Sequence, residues 1–154
     1  MLDVIPDNEA VVRSIRTGWL KKGEVTYSAF RPSANKTLIS VLRGSWGNAW
    51  CLEKSAEIAG ADYAGFAVLL AKQIRDLSAK VEDAPEGPGC FPGHAHIDHV
   101  DPPLPPNNPL GPEANRALND RCRAMAKAAR YYPDPAKAPD LDTFANAAAA
   151  ACNL

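Results

Sequence analysis

Apolar positions alternate with polar ones in some stretches of the chain and recur every third or fourth residue in others, and the two periods predict different elements. Val25, Tyr27 and Ala29 alternate with Thr26, Ser28 and Phe30, which predicts a strand over 25–30. Leu38-Ile39-Ser40-Val41-Leu42-Arg43 predicts a second, and the turn-rich bridge Arg31–Lys36 suggests that the two pair as a hairpin with a longer loop. Asn48 to Ala59 reads as a helix carrying Trp50, Leu52 and Ile58 and ended by Gly60, with Trp46 and Trp50 spaced to share one face.

Two stretches fit both periods. Residues 8–16 read either as a short helix capped by Asp7 or Asn8 or as a β-branched strand at Val11-Val12-Arg13-Ser14-Ile15. Between Gly65 and Leu77, Phe66, Leu69, Leu70, Ile74 and Leu77 make a helical stripe, while Phe66-Ala67-Val68-Leu69-Leu70 suits a buried strand. A short extended piece at Lys80–Asp83 leads into the loop Pro85-Glu86-Gly87-Pro88-Gly89, which has the composition of a mobile flap, and then into a strand at 94–100.

Beyond that strand, six of the twelve residues 101–112 are proline, so this arm is an extended crossing and a candidate docking segment for a protein partner. Glu113 to Tyr131 is the longest predicted helix, with Leu118, Cys122, Met125, Ala126 and Ala129 as its apolar stripe. An alanine-rich helix at 140–152, started by Asp142 or Thr143, completes the chain. The expected architecture is one α+β domain over 1–154: a small, mainly antiparallel sheet of four or five strands, with two or three helices packed on one face.

Charge narrows the possible partners. Seventeen basic and eighteen acidic residues leave a net charge of −1, which gives no electrostatic argument for nucleic acid. The first residues lack the features of a signal peptide and no stretch approaches a membrane span, so a cytoplasmic protein is expected. Cys51, Cys90, Cys122 and Cys152 are far apart, as reduced thiols would be.

The candidate chemistry is concentrated in Pro92-Gly93-His94-Ala95-His96-Ile97-Asp98-His99-Val100, which holds all 3 histidines of the chain. On a strand, His94, His96 and Asp98 project to one side and Ala95, Ile97 and His99 to the other. The first three, with Cys90 four residues upstream as an optional further donor, have the donor types to hold one zinc-type ion with a water in an open position. His99 or Asp101 would then be the supporting or proton-transferring group. The competing reading is a histidine-bearing strand bonded to backbone or solvent, with no ion.

The spelling His94-x-His96-x-Asp98-His99 resembles the HxHxDH signature of the metallo-β-lactamase superfamily, which uses it in a two-metal centre. With no histidine elsewhere, such a centre is incomplete here, and a single ion is the most the resemblance implies. A looser likeness covers residues 11–100. Arg13, Ser28-Ala29-Phe30, Leu38-Ile39-Ser40-Val41 and Pro92-Gly93-His94-Ala95 resemble the SxAF, LSV and P-x-H-A strands of a group of small uncharacterised bacterial proteins, with His94 the matching histidine. Arg13, Ser40 and Glu53 or Glu57 are faintly similar to the NAD site of ADP-ribosyltransferase-like proteins. The first functional expectation is a non-catalytic binding or accessory protein of a bacterial intracellular system. A mononuclear zinc-type hydrolase built on His94, His96 and Asp98 is the alternative, and an NAD-using protein the remote one.

Overall fold

The computed structural model of the chain describes residues 2–33, 37–99 and 111–134. In chain order the strands are β1 (Ala10–Arg16), β2 (Leu20–Lys21), β3 (Glu24–Val25), β4 (Leu38–Arg43), β5 (Tyr63–Leu70), β6 (Lys80–Asp83), β7 (His94–Asp98) and β8 (Arg130–Tyr132). The helices are α1 (Asn48–Ala59), α2 (Ala71–Asp76) and α3 (Pro112–Ala128). Six strands form one sheet in the order β6-β7-β4-β1-β5-β8, with every pairing antiparallel, and β2 and β3 form a separate ribbon. No helix among the described residues is long and apolar enough to cross a membrane.

The class is therefore α+β on a mainly antiparallel sheet, with six strands in the main sheet and helices on both of its faces rather than one. Ala10, Val12, Leu42, Phe66 and Val68 point toward α1, where Cys51 is fully buried. Val11, Ile15, Ile39, Val41, Ala67, Leu69, Ala95 and Ile97 point the other way, against Ile74 of α2 and Leu118, Cys122 and Met125 of α3. Central strands covered on both faces lose the alternation that marks a strand in sequence. That double cover explains the two ambiguous stretches. Residues 10–16 are a strand, and the apolar run after Gly65 is strand β5 up to Leu70, where it turns into α2.

The expected hairpin of 25–30 with 38–43 does not form. Strand β3 ends at Val25 and pairs back to β2 through Lys22 and Gly23, both with positive φ (53° and 78°), the geometry of a tight two-residue hairpin turn. Tyr27–Phe30 then makes a 3-10 turn that drives Ala29 and Phe30, both at 0% exposure, beneath the sheet. Strand β4 is left to pair with β1 and β7. The helix expected to reach Tyr131 stops at Ala128, because Ala129 is extended (φ −66°, ψ 141°) and the next three residues pair with β5. Gly65 makes this possible: a Cβ there would stand 2.2 Å from the Tyr132 carbonyl oxygen. Residues 101–110 of the proline-rich arm and the expected helix at 140–152 lie outside the described residues.

Candidate metal centre

Strand β7 lies between β4 and β6, so its register fixes where the histidines point. His94 is opposite Leu42, His96 is opposite Ser40 and Glu82, and Asp98 is opposite Leu38 and Lys80. The alternation of an extended segment thus puts His94, His96 and Asp98 on the α1 side of the sheet. His99 turns to the other side, where it is 7% exposed and its Nε2–H donates to the Phe30 carbonyl at 2.7 Å. It does not face the His94–His96 group. Asp101, the other residue expected as a supporting or proton-transferring group, lies outside the described residues.

The loop before β7 brings a thiol to the same face. Cys90 N–H donates to Gly87 O at 3.0 Å, His94 N–H to Phe91 O at 3.0 Å, and Arg43 N–H to Gly93 O at 2.8 Å. Gly87, Gly89 and Gly93 all adopt positive φ, which lets this short segment fold back on the strand that it feeds. Folding back brings the Cys90 thiol over the imidazoles. The Sγ of Cys90 and one ring nitrogen from each of His94 and His96 lie within 4.8 Å of one another. Asp98, one strand repeat further on, stands outside this group.

Ligands around a four-coordinate zinc-type ion, bonded at about 2.0–2.3 Å, stand roughly 3.5 Å apart. A contraction of about an ångström per pair, within reach of small side-chain rotations, closes the trio on such an ion. His94 is already oriented for it. Its Nδ1–H donates to the Ala84 carbonyl at 3.0 Å, which fixes the tautomer and leaves Nε2 as a bare lone pair, buried and without a hydrogen-bond partner. The two rings meet edge to face with centroids 4.8 Å apart. Burial holds the His94 pKa below its ordinary value, outweighing the bond to Ala84 and the charge of Asp83. Burial, then the neighbouring His94, does the same for His96. Both rings are therefore neutral at physiological pH, the state a metal requires.

Of the thiols placed, Cys51 and Cys122 are buried and pushed up to about 12 and about 11 by desolvation, whereas Cys90 is half-buried. Aromatic rings extend from the trio toward α1. Phe91 lies 5.2 Å from His94, Trp50 lies 6.1 Å from Phe91 and Trp46 lies 5.1 Å from Trp50. The sequence flagged Trp46 and Trp50 as neighbours but gave no sign that they pack on Gly93, the residue that opens the histidine strand. Comparisons with family models, with curated proteins and with solved structures find no match to this chain.

Proposed function

We propose that the protein binds one divalent ion of zinc type through Cys90 Sγ, His94 Nε2 and a ring nitrogen of His96, and uses it in hydrolysis. The observation that supports this best is the buried, unpartnered Nε2 of His94, on a ring that brings one nitrogen within 4.8 Å of the Cys90 thiol and of a His96 ring nitrogen. A buried nitrogen with no partner costs about 1–3 kcal/mol, which a ligand bond removes. One sulfur and two nitrogens suit zinc or copper. A blue-copper site would add a weak axial ligand, commonly a thioether, and Met125, the methionine among the described residues, packs in the core on the opposite side of the sheet. Three protein ligands leave a position where a zinc-type ion can acidify water. Glu82, opposite His96 on the same face, is the candidate proton acceptor, in place of His99.

The test uses protein made without an affinity tag. Cobalt(II) should bind one per chain and give a thiolate-to-metal absorption band, lost in Cys90→Ser and absent with His94→Ala, while Asp98→Asn leaves it in place. A chain that takes up no stoichiometric zinc or cobalt removes the proposal. Turnover of an activated ester by the zinc form, and not by the chelated form, tests the hydrolytic half separately.

A second reading is a non-catalytic binding or accessory protein of a bacterial intracellular system. Trp46, 47% exposed at the end of the aromatic run, favours it, since an exposed tryptophan is a common anchor at interfaces. Metal uptake without turnover decides for this reading.

A further inference from the structure

Strand β1 shares Cα partners with β4 only at Val11 and Val12, and Arg13 fills the gap that opens beyond them. Its Nε donates to Ala29 O and its Nη1 to Ser40 O, each at 2.8 Å, and its guanidinium sits 4.6 Å from the centre of the Trp19 ring. Around it lies a cleft of about 480 Å³ whose walls include Arg13, Arg16, Arg31, Trp19, Ser28 and Ser40. No acidic side chain is among its described lining residues.

The charges here are poorly compensated. Arg13 and Arg31 have no carboxylate partner among the described residues, Arg31 meeting only the neutral Asn115 Oδ1 at 2.8 Å. Arg16 has Asp62 at a loose 3.8 Å, with both side chains well exposed. Burial, with Arg16 close by, brings the Arg13 pKa down to about 10, the signature of a cation held without a counter-charge. Glu53 and Glu57 are exposed on α1 and do not line the cleft, so the acid that an ADP-ribosyltransferase-like site needs is not supplied by them.

We propose that this cleft binds a small molecule through a phosphate group, with Arg13, Arg16 and Arg31 around the anion and the Ser28 and Ser40 hydroxyls completing its hydrogen bonds. Arg13 spends two of its five N–H donors on backbone carbonyls, which lock the guanidinium in place, and keeps the others for a ligand. A dianion with several acceptor oxygens matches three guanidinium groups better than a carboxylate, which is satisfied by a single fork. The volume falls in the range of small-molecule sites, about 300–1,000 Å³. The proposal is independent of the metal, because none of the cleft's lining residues belongs to the Cys90 group.

Calorimetric titration of the chelated full chain with phenyl phosphate, inorganic phosphate and acetate tests it. Phenyl phosphate should bind at one site, at least about tenfold more weakly in the Arg16→Gln/Arg31→Gln variant and several-fold more weakly in Arg13→Lys, which keeps the charge and loses the fork. The melting temperature of the double variant without ligand reports its fold, and if it does not fold Arg13→Lys alone decides. Binding of inorganic phosphate alone supports the site and identifies the ligand as the free anion. Three outcomes overturn the proposal: no saturable binding of either phosphate at millimolar concentration, equal binding of acetate, or affinity unchanged by the substitutions.

Discussion

His99 is held neutral by its surroundings, and that gives the fold a pH dependence. Desolvation lowers its pKa, outweighing the bond to Phe30 O, with Arg121 acting in the same direction as burial and Asp98 against it. The unfolded chain therefore takes up a proton near the ordinary value of about 6.5, while the folded chain resists until lower pH. Stability from this residue is complete above about 6.5 and is lost as pH falls toward the folded value. His94 and His96 are shifted in the same direction, so the metal-free protein should weaken below that pH through all three. In His99→Gln the amide nitrogen takes the place of Nε2 and keeps the bond to Phe30 O without titrating. Urea unfolding of the chelated protein across this range should then show a slope shallower by one histidine's share, at most about 1.4 kcal/mol per pH unit. An unchanged slope means that His99 takes up its proton over the same pH range in the folded and unfolded chains.

The loop entering β7 works as an element because one of its glycines is packed and another is not. A Cβ on Gly93 would stand 2.5 Å from the Trp50 ring and 2.9 Å from that of Trp46, on a backbone at φ +89°. A Cβ on Gly89, at φ +75°, would meet nothing within 4 Å. Gly89→Ala should cost only backbone strain, about 1 kcal/mol, and Gly93→Ala about 2–3 kcal/mol, because two indoles must also move. Since Gly93 O is bonded to Arg43 N and Cys90 hangs from the same loop, Gly93→Ala should also weaken cobalt binding by about tenfold or more. Denaturant unfolding and metal titration of the two variants separate the effects. The shared face of His94 and His96 was legible in the sequence, because alternation alone dictates it, and α1 was legible to both of its ends. Cys90 was legible only as a donor four residues upstream, since its place over the imidazoles depends on three glycine conformations that no hydrophobic period encodes. The strand at Arg130–Tyr132 was not legible either, because helical spacing continues through Ala129 and only the missing Cβ of Gly65 admits the pairing.

At the scale of the whole molecule, Arg43 ties three separate parts of the chain to the end of β4. Its Nε and Nη2 form a fork on Glu9 at 2.9 and 2.8 Å, and Nη1 reaches Asp3 at 3.1 Å and Asp83 at 3.3 Å. The Arg43, Glu9 and Asp83 side chains are each under 10% exposed, so one buried cation answers two buried anions and a third at the surface. The carboxylates hold the Arg43 pKa above its ordinary value, the fork to Glu9 contributing most. Removing the cation strands Glu9 and Asp83 in a desolvated site, and breaking a buried pair in this way costs about 3–5 kcal/mol. Arg43→Met should therefore destabilise by that amount, whereas adding Glu9→Gln and Asp83→Asn to it should restore part of the loss by removing the stranded charges. The backbone of Arg43 serves a different purpose: its N–H holds Gly93 O, and its carbonyl accepts from the Cys51 thiol at 3.6 Å. Those bonds survive a side-chain substitution. Provided the variant folds under the assay conditions, Arg43→Met should lower the unfolding free energy while leaving cobalt affinity within about threefold of wild type. A matching collapse of metal binding would mean that the charge network, rather than the backbone of β4, positions the loop.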